Sequence, residues 1–174
     1  MLRRFVIGPS TAGFTILEVL AVVIITGILA AIAAPGWLSF MNQRRANTAT
    51  DQVLQQIRFV QSEAQRTRQT ETLAFIAAEE SNSGLPELSR NGIRYVLGEG
   101  EYKPGMVSLT AFTREGTALD QLTFNANGTL ALAYETSMPI KVTVASPAGS
   151  AMQRCIILET LLGAIYVEKN EACN

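Results

Sequence analysis

The chain has no histidine, two cysteines and one tryptophan, and only 17% of its 174 residues are charged, against about a quarter in an average globular domain. Without histidine it lacks the commonest general base and the commonest metal ligand, and two cysteines cannot build a four-thiolate zinc site. There is no Gly-rich phosphate loop and no paired Cys or carboxylate motif at metal spacing. Scattered acids such as Glu79, Glu80, Glu99 and Glu101 read as solvated surface. No catalytic residue, metal site or cofactor is therefore expected, and the chain is read as not an enzyme.

The charge that is present is unevenly placed. Up to Arg68 there are 7 basic and 3 acidic residues, and after it 7 basic and 12 acidic. A net acidic second part repels phosphates, which argues against wholesale nucleic-acid binding and leaves room only for a local basic patch.

What the sequence has in abundance is apolar side chains, 48% of the total, concentrated near the N-terminus. The run 14–34, FTILEVLAVVIITGILAAIAA, carries one charge, Glu18. As a helix it spans about 30 Å, the thickness of a bilayer's hydrocarbon core. Arg3 and Arg4 precede it, but Arg44 and Arg45 follow it at a similar distance, so charge counting alone does not orient the segment. A secretory signal peptide with a cleavage site at Ala31-Ile32-Ala33, releasing a soluble domain, and a plain anchor are both compatible with the hydropathy. Neither gives Glu18 a role, although a carboxylate at the bilayer centre costs up to about 3 kcal/mol.

Cys155 and Cys173 lie near the C-terminus. They are either two unrelated buried thiols or a disulfide, the reading favoured here, which implies an oxidising compartment.

The run Thr11-Ala12-Gly13-Phe14-Thr15-Ile16-Leu17-Glu18-Val19-Leu20 closely resembles the type IV prepilin processing site. The resemblance implies that residues 1–13 are a leader, that a dedicated prepilin peptidase cuts between Gly13 and Phe14, and that Phe14 becomes the N-methylated first mature residue. Glu18 is then the acidic residue at the fifth mature position. Cleavage creates an amine at the edge of an apolar helix, and the amine of one subunit can pair with Glu18 of its neighbour in a filament. Pro35, where pilin-like helices commonly carry proline, is expected to kink or locally open the helix, helped by Gly36. A simple helix end at the membrane surface is the alternative.

Beyond the proline, Ala46, Ala49, Val53, Ile57, Val60 and Ala64 trace one helical face. This stripe is read as core packed on a sheet, with the long helix ending near Thr67 and residues 35–68 forming its amphipathic continuation. From 69 to 174 the pattern changes to short β-rich runs, with strands expected at 72–77, 92–97, 106–112, 121–124, 129–134, 140–145, 153–158 and 163–168. Asn127-Gly128 reads as a tight hairpin turn supplying positive φ angles, and 81–91 as an exposed loop. The fold class is α+β, a long N-terminal helix packed on an antiparallel β-sheet head.

Within the prepilin superfamily the order of parts resembles the GspH/FimT family of minor pilins and type II secretion pseudopilins. The segments that carry this are the helix face Gln56 to Ala64, the hairpin Phe124 to Thr129, and the late strand Arg154-Cys155-Ile156-Ile157-Leu158 followed by a second cysteine. The resemblance implies a structural subunit in the bacterial inner membrane, single-pass with its C-terminal domain in the periplasm and carried onward in a pilus or pseudopilus. Its partners would be other pilin subunits and the prepilin peptidase. Many pilins tether their C-terminal loop by a disulfide, which supports the Cys155–Cys173 pairing. Some FimT-like minor pilins bind DNA through basic residues near the C-terminus. Here Lys169 is the sole basic residue from Ile156 to Ala172, against Glu159, Glu168 and Glu171, which argues against that role.

Overall fold

The computed structural model describes residues 13–98, 100–150 and 152–173, so the leader before Gly13 lies outside the described residues. One helix, α1, runs Ile16–Thr67, unbroken through Pro35 and ending where the sequence places its end. Eight strands follow: β1 (Glu71–Ile76), β2 (Glu87–Arg90), β3 (Ile93–Val96), β4 (Ser108–Phe112), β5 (Gln121–Phe124), β6 (Ile140–Ala145), β7 (Gln153–Leu158) and β8 (Ile165–Lys169). Short 3-10 turns lie at Leu132–Ser137 and Asn170–Cys173. The chain divides between Ser39 and Phe40 into two compact units.

In the first unit every described side chain from Gly13 to Ser39 is exposed, the helical part consisting largely of Ile, Leu, Val and Ala. Within it, Thr26 Oγ1 donates to the Val22 carbonyl at 2.8 Å. That bond satisfies the hydroxyl within the helix, as a lipid environment demands.

The second unit is the head. Ala46, Ala49, Val53, Ile57, Val60 and Ala64 are all buried, as their spacing requires, and Thr50 joins them because its hydroxyl donates to the Ala46 carbonyl at 2.6 Å. The strands form two antiparallel four-stranded sheets, ordered β3-β2-β1-β5 and β4-β6-β7-β8, where the sequence suggested one. Leu73, Phe75, Leu88, Leu122 and Phe124 of the first sheet share one continuous core with Leu109, Val142, Val144, Ile156 and Leu158 of the second and with the helix stripe. Full burial of each such side chain contributes about 1.5–3 kcal/mol relative to exposure.

Three expectations are corrected. The segment 81–91 is not an exposed loop, since Leu85 and Leu88 are buried and β2 pairs with both β1 and β3. Its polar composition hides the strand. Glu87 is 3% exposed, with its carboxylate accepting from the Ser81 hydroxyl, from Ser83 Oγ at 3.0 Å and from Arg94 Nη1 at 3.3 Å. These donors, Ser81 foremost, outweigh burial and hold its pKa below the ordinary carboxylate range.

The expected strand at 129–134 is reduced to one bridge, Phe124 with Leu130. Ala131 N–H still donates to the Thr123 carbonyl at 2.9 Å, Leu130 N–H on the other side donates to the Leu161 carbonyl at 2.8 Å, and from Leu132 the chain winds into a 3-10 turn. At Asn127-Gly128 the turn is closed by Gly128 N–H donating to the Asn125 carbonyl at 2.8 Å, and only Gly128 has a positive φ, 78°. It is therefore not the two-residue turn expected from Asn-Gly, in which both residues would be left-handed.

Candidate functional site

Helix α1 starts immediately after the Gly13-Phe14 junction. Thr15 caps it: Thr15 Oγ1 accepts from Glu18 N–H at 3.2 Å, and the Thr15 carbonyl accepts from Glu18 and Val19 N–H at 3.1 and 3.2 Å. This is the N-cap geometry that Thr provides, with Glu18 at the third helical position, where a carboxylate is favoured by the helix dipole by some tenths of a kcal/mol. The local sequence thus places Glu18 on the first turn, one turn beyond Phe14.

The Glu18 carboxylate is exposed and makes no side-chain hydrogen bond or ion pair among the described residues. Around it, Phe14 (82% exposed), Ile16, Leu17, Val19 and Leu20 are also uncovered. Among the described residues the charge has no partner and is set in an uncovered apolar surface. Gly13 is exposed, and a Cβ built there meets nothing within 4 Å. Neither packing nor backbone conformation therefore calls for glycine at this position.

Pro35 lies inside α1, where it has no N–H to donate to the Ala31 carbonyl. The helix is nevertheless helical on both sides of it and through Gly36.

Cys155 on β7 and Cys173 in the final 3-10 turn are bonded, with their Cα atoms 5.5 Å apart. Both are buried and form a small cluster with Ile157, separate from the main core. Cys155, in register with Thr143 on β6 and Glu168 on β8, points to the opposite face of the sheet from core residues Ile156 and Leu158. The bond therefore clamps the tail across the outside of the second sheet, and Lys141 Nζ donates to the Cys173 carbonyl at 3.0 Å.

The structure keeps these features apart: Gly13, Phe14, Glu18 and Pro35 fall in the first unit, the disulfide in the second. Sequence reasoning missed Arg154. It shares its strand parity with Ile156 and Leu158 and so faces α1, where Nη1 donates to Asn47 Oδ1 at 2.9 Å. The sequence of β7 carried no such signal, because Cys155 to Leu158 are apolar on both faces. Among the described residues no cluster of three or more His, Cys, Asp or Glu side chains could hold a metal.

Residues 9–34 match the family model of the prokaryotic N-terminal methylation motif. No match emerges among curated proteins. Among solved structures, the chain is similar to the Pseudomonas aeruginosa type IV minor pilin FimU, with a TM-score of 0.53 at 14% identity over 78% of this chain and 99% of that one. A second crystal form of FimU gives 0.48 at 16% identity, over 74% and 99% of the two chains. The first of these places the long helix and antiparallel sheets in the pilin fold.

Proposed function

We propose that this type IV pilin-like chain is a minor pilin or type II secretion pseudopilin of the GspH/FimT kind, a structural subunit that helps initiate or assemble a filament. It inserts in the inner membrane through residues 14–34 and is cut between Gly13 and Phe14 by prepilin peptidase. Phe14 is then N-methylated, and the head stands in the periplasm. The observation that carries this reading is Glu18, exposed and without a side-chain partner among the described residues, on the first turn of a helix whose side chains are exposed as far as Ser39.

Cleavage supplies the missing partner. The new amine at Phe14 of one subunit and the carboxylate of the next neutralise each other inside an apolar filament core, where either alone is strongly disfavoured. Glu18 thereby sets the register between subunits. Gly13, which the fold does not require, is read as a peptidase determinant. The carbonyl left without a donor before Pro35 marks where the helix is expected to bend or open on assembly. The buried disulfide suits an oxidising periplasm.

The test is the mass and N-terminal sequence of the protein recovered from membranes with and without the peptidase. A peptidase-dependent start at methylated Phe14 is expected. An unmethylated start at Ala34, or an uncut Met1 in the presence of the enzyme, overturns the reading.

A further inference from the structure

The outer face of the second sheet holds a cleft of about 480 Å³, within the range of about 300–1,000 Å³ usual for small-ligand sites. Thr110, Phe112, Arg114, Lys141, Thr143 and Gln153 line it, and no Asp or Glu side chain is among the described residues that do. Thr110 and Phe112 alternate along β4 with the core residues Leu109 and Ala111 and so point away from the core. Thr143 on β6 stands directly opposite Thr110, and Lys141 opposite Phe112. On its other side Thr143 faces Cys155 of β7, which puts the cleft on the same face as the disulfide. Two of its boundaries are fixed. One is Cys173, held by its bond to Cys155 and by Lys141 Nζ, which donates to the Cys173 carbonyl at 3.0 Å. The other is the turn 113–117, closed by Thr113 N–H donating to the Thr117 carbonyl at 2.9 Å and Gly116 N–H to the Thr113 carbonyl at 3.0 Å, and tied by Arg114 N–H to the Ser137 carbonyl at 3.1 Å. A cleft bounded in this way needs little reorganisation on binding.

Three kinds of group meet there. Phe112, 38% exposed, offers an aromatic surface. Thr110 and Thr143, as an opposed pair, have Cβ atoms about 5 Å apart, and their hydroxyls make no hydrogen bond among the described residues. Lys141 is engaged by the tail. Arg114 is exposed, and its guanidinium makes no ion pair or hydrogen bond among the described residues. A guanidinium presents paired N–H donors whose spacing matches a carboxylate. The cleft therefore combines an anion-binding group, two hydroxyls that can both donate and accept, and an apolar platform.

We infer that this cleft binds an acidic saccharide through a hexuronate ring, its carboxylate on Arg114, its hydroxyls on Thr110 and Thr143, and its apolar C–H face on Phe112. A sugar is favoured over an acidic peptide because each peptide residue brings an N–H and a C=O that need partners, which peptides commonly find by adding to a strand edge. The outer edge of β4 is already taken: Leu119 N–H donates to the Ala111 carbonyl at 2.8 Å, and Phe112 bridges Ala118. The face of the sheet offers side chains alone, which suit a ring whose remaining hydroxyls stay in water. Since the chain beyond Arg68 carries 12 acids and 7 bases, recognition depends on contact with Arg114 and not on long-range attraction. The cleft lies wholly within the head unit, so its occupancy depends on neither processing nor assembly.

The experiment is saturation-transfer NMR on the full chain in phosphatidylcholine nanodiscs, with protein-free discs subtracted, using a galacturonate trisaccharide, the neutral galactose trisaccharide and a triglutamate peptide as probes. The galacturonate is expected to bind saturably and roughly tenfold more tightly than the neutral sugar. Arg114→Gln, in an exposed turn that uses only the backbone of this residue, is expected to weaken galacturonate roughly tenfold and to leave the neutral sugar unchanged. Thr143→Val, which keeps the shape and strand preference of the side chain, is expected to weaken it severalfold. Arg58→Gln, which removes an exposed cation outside the cleft, is expected to change nothing. The inference is overturned by the absence of saturable galacturonate binding, by equal binding of the neutral sugar, by Arg114→Gln or Thr143→Val titrating like wild type, or by an equal loss in Arg58→Gln. Triglutamate binding as tightly as galacturonate also overturns it, and makes an acidic peptide the occupant.

Discussion

Gln61 on the helix reaches the hairpin turn of the first sheet, its Nε2 donating to the Gly128 carbonyl at 3.0 Å. One turn later Gln65 Nε2 donates to the Asn127 carbonyl at 3.4 Å, and the Gln65 side chain fills the space a Cβ at position 128 would take. Gly128 is thus required twice, for its φ of 78° and for the close approach of the helix. Gly128→Ala is expected to destabilise the head by about 1–3 kcal/mol, read as a lowered denaturation midpoint with unchanged slope.

Gly13 gives the opposite expectation. Nothing surrounds it, so Gly13→Val should leave the melting of the head unchanged while blocking removal of the leader. Immunoblot mobility of the membrane-bound chain, with and without peptidase, separates the two effects.

Glu18→Ala removes a carboxylate that no side chain among the described residues uses. Insertion, cleavage and methylation are expected to proceed, because the junction and the apolar run are intact. Assembly is expected to fail, because the Phe14 amine of the neighbour is left buried and unpaired. The ratio of processed protein in sheared filaments to that in membranes reports the defect.

Removing the disulfide by Cys155→Ser or Cys173→Ser frees the tail from the second sheet. The closed loop of 18 positions corresponds to roughly 3 kcal/mol in the chain-entropy model. Chemical denaturation with and without reductant should show a loss of that order in wild type and no reductant effect in the variants.

Glu87 gives the head a pH dependence. Its folded pKa lies below the ordinary carboxylate range because Ser81, Ser83 and Arg94 favour the ionised form. Between the folded and the ordinary value the unfolded chain binds more protons, so stability rises with pH there. The contribution is fully present above the ordinary carboxylate pKa and is lost as pH falls through the depressed one. Glu87→Gln is expected to flatten that part of the stability profile and lower stability at neutral pH.

Much of the molecule was legible from periodicity alone. The apolar run, its one acid and the stripe from Ala46 to Ala64 depend on residue type and spacing along a single helix, so the helix end at Thr67 and its buried face followed directly. Strands β5, β6 and β7 coincide with their expected bounds: β5 and most of β6 alternate in burial, whereas Cys155 to Leu158 of β7 are buried on both faces. The cysteine bond joins neighbouring parts of one β-hairpin and its tail, a short-range closure that composition already suggested.

Tertiary structure decided what depends on partners distant in sequence. β2 is a strand because β1 and β3 offer backbone on both sides and because Arg94 and two serines neutralise Glu87. The segment after Leu130 keeps one more bond to β5, from Ala131 N–H to the Thr123 carbonyl, before it winds into the 3-10 turn at Leu132. Whether the strands form one sheet or two turns on how a shared core is filled from both sides, which no local pattern specifies. The contact of Arg154 with Asn47 is of the same kind: the two are far apart in the chain, and only the packing of helix on sheet brings them together.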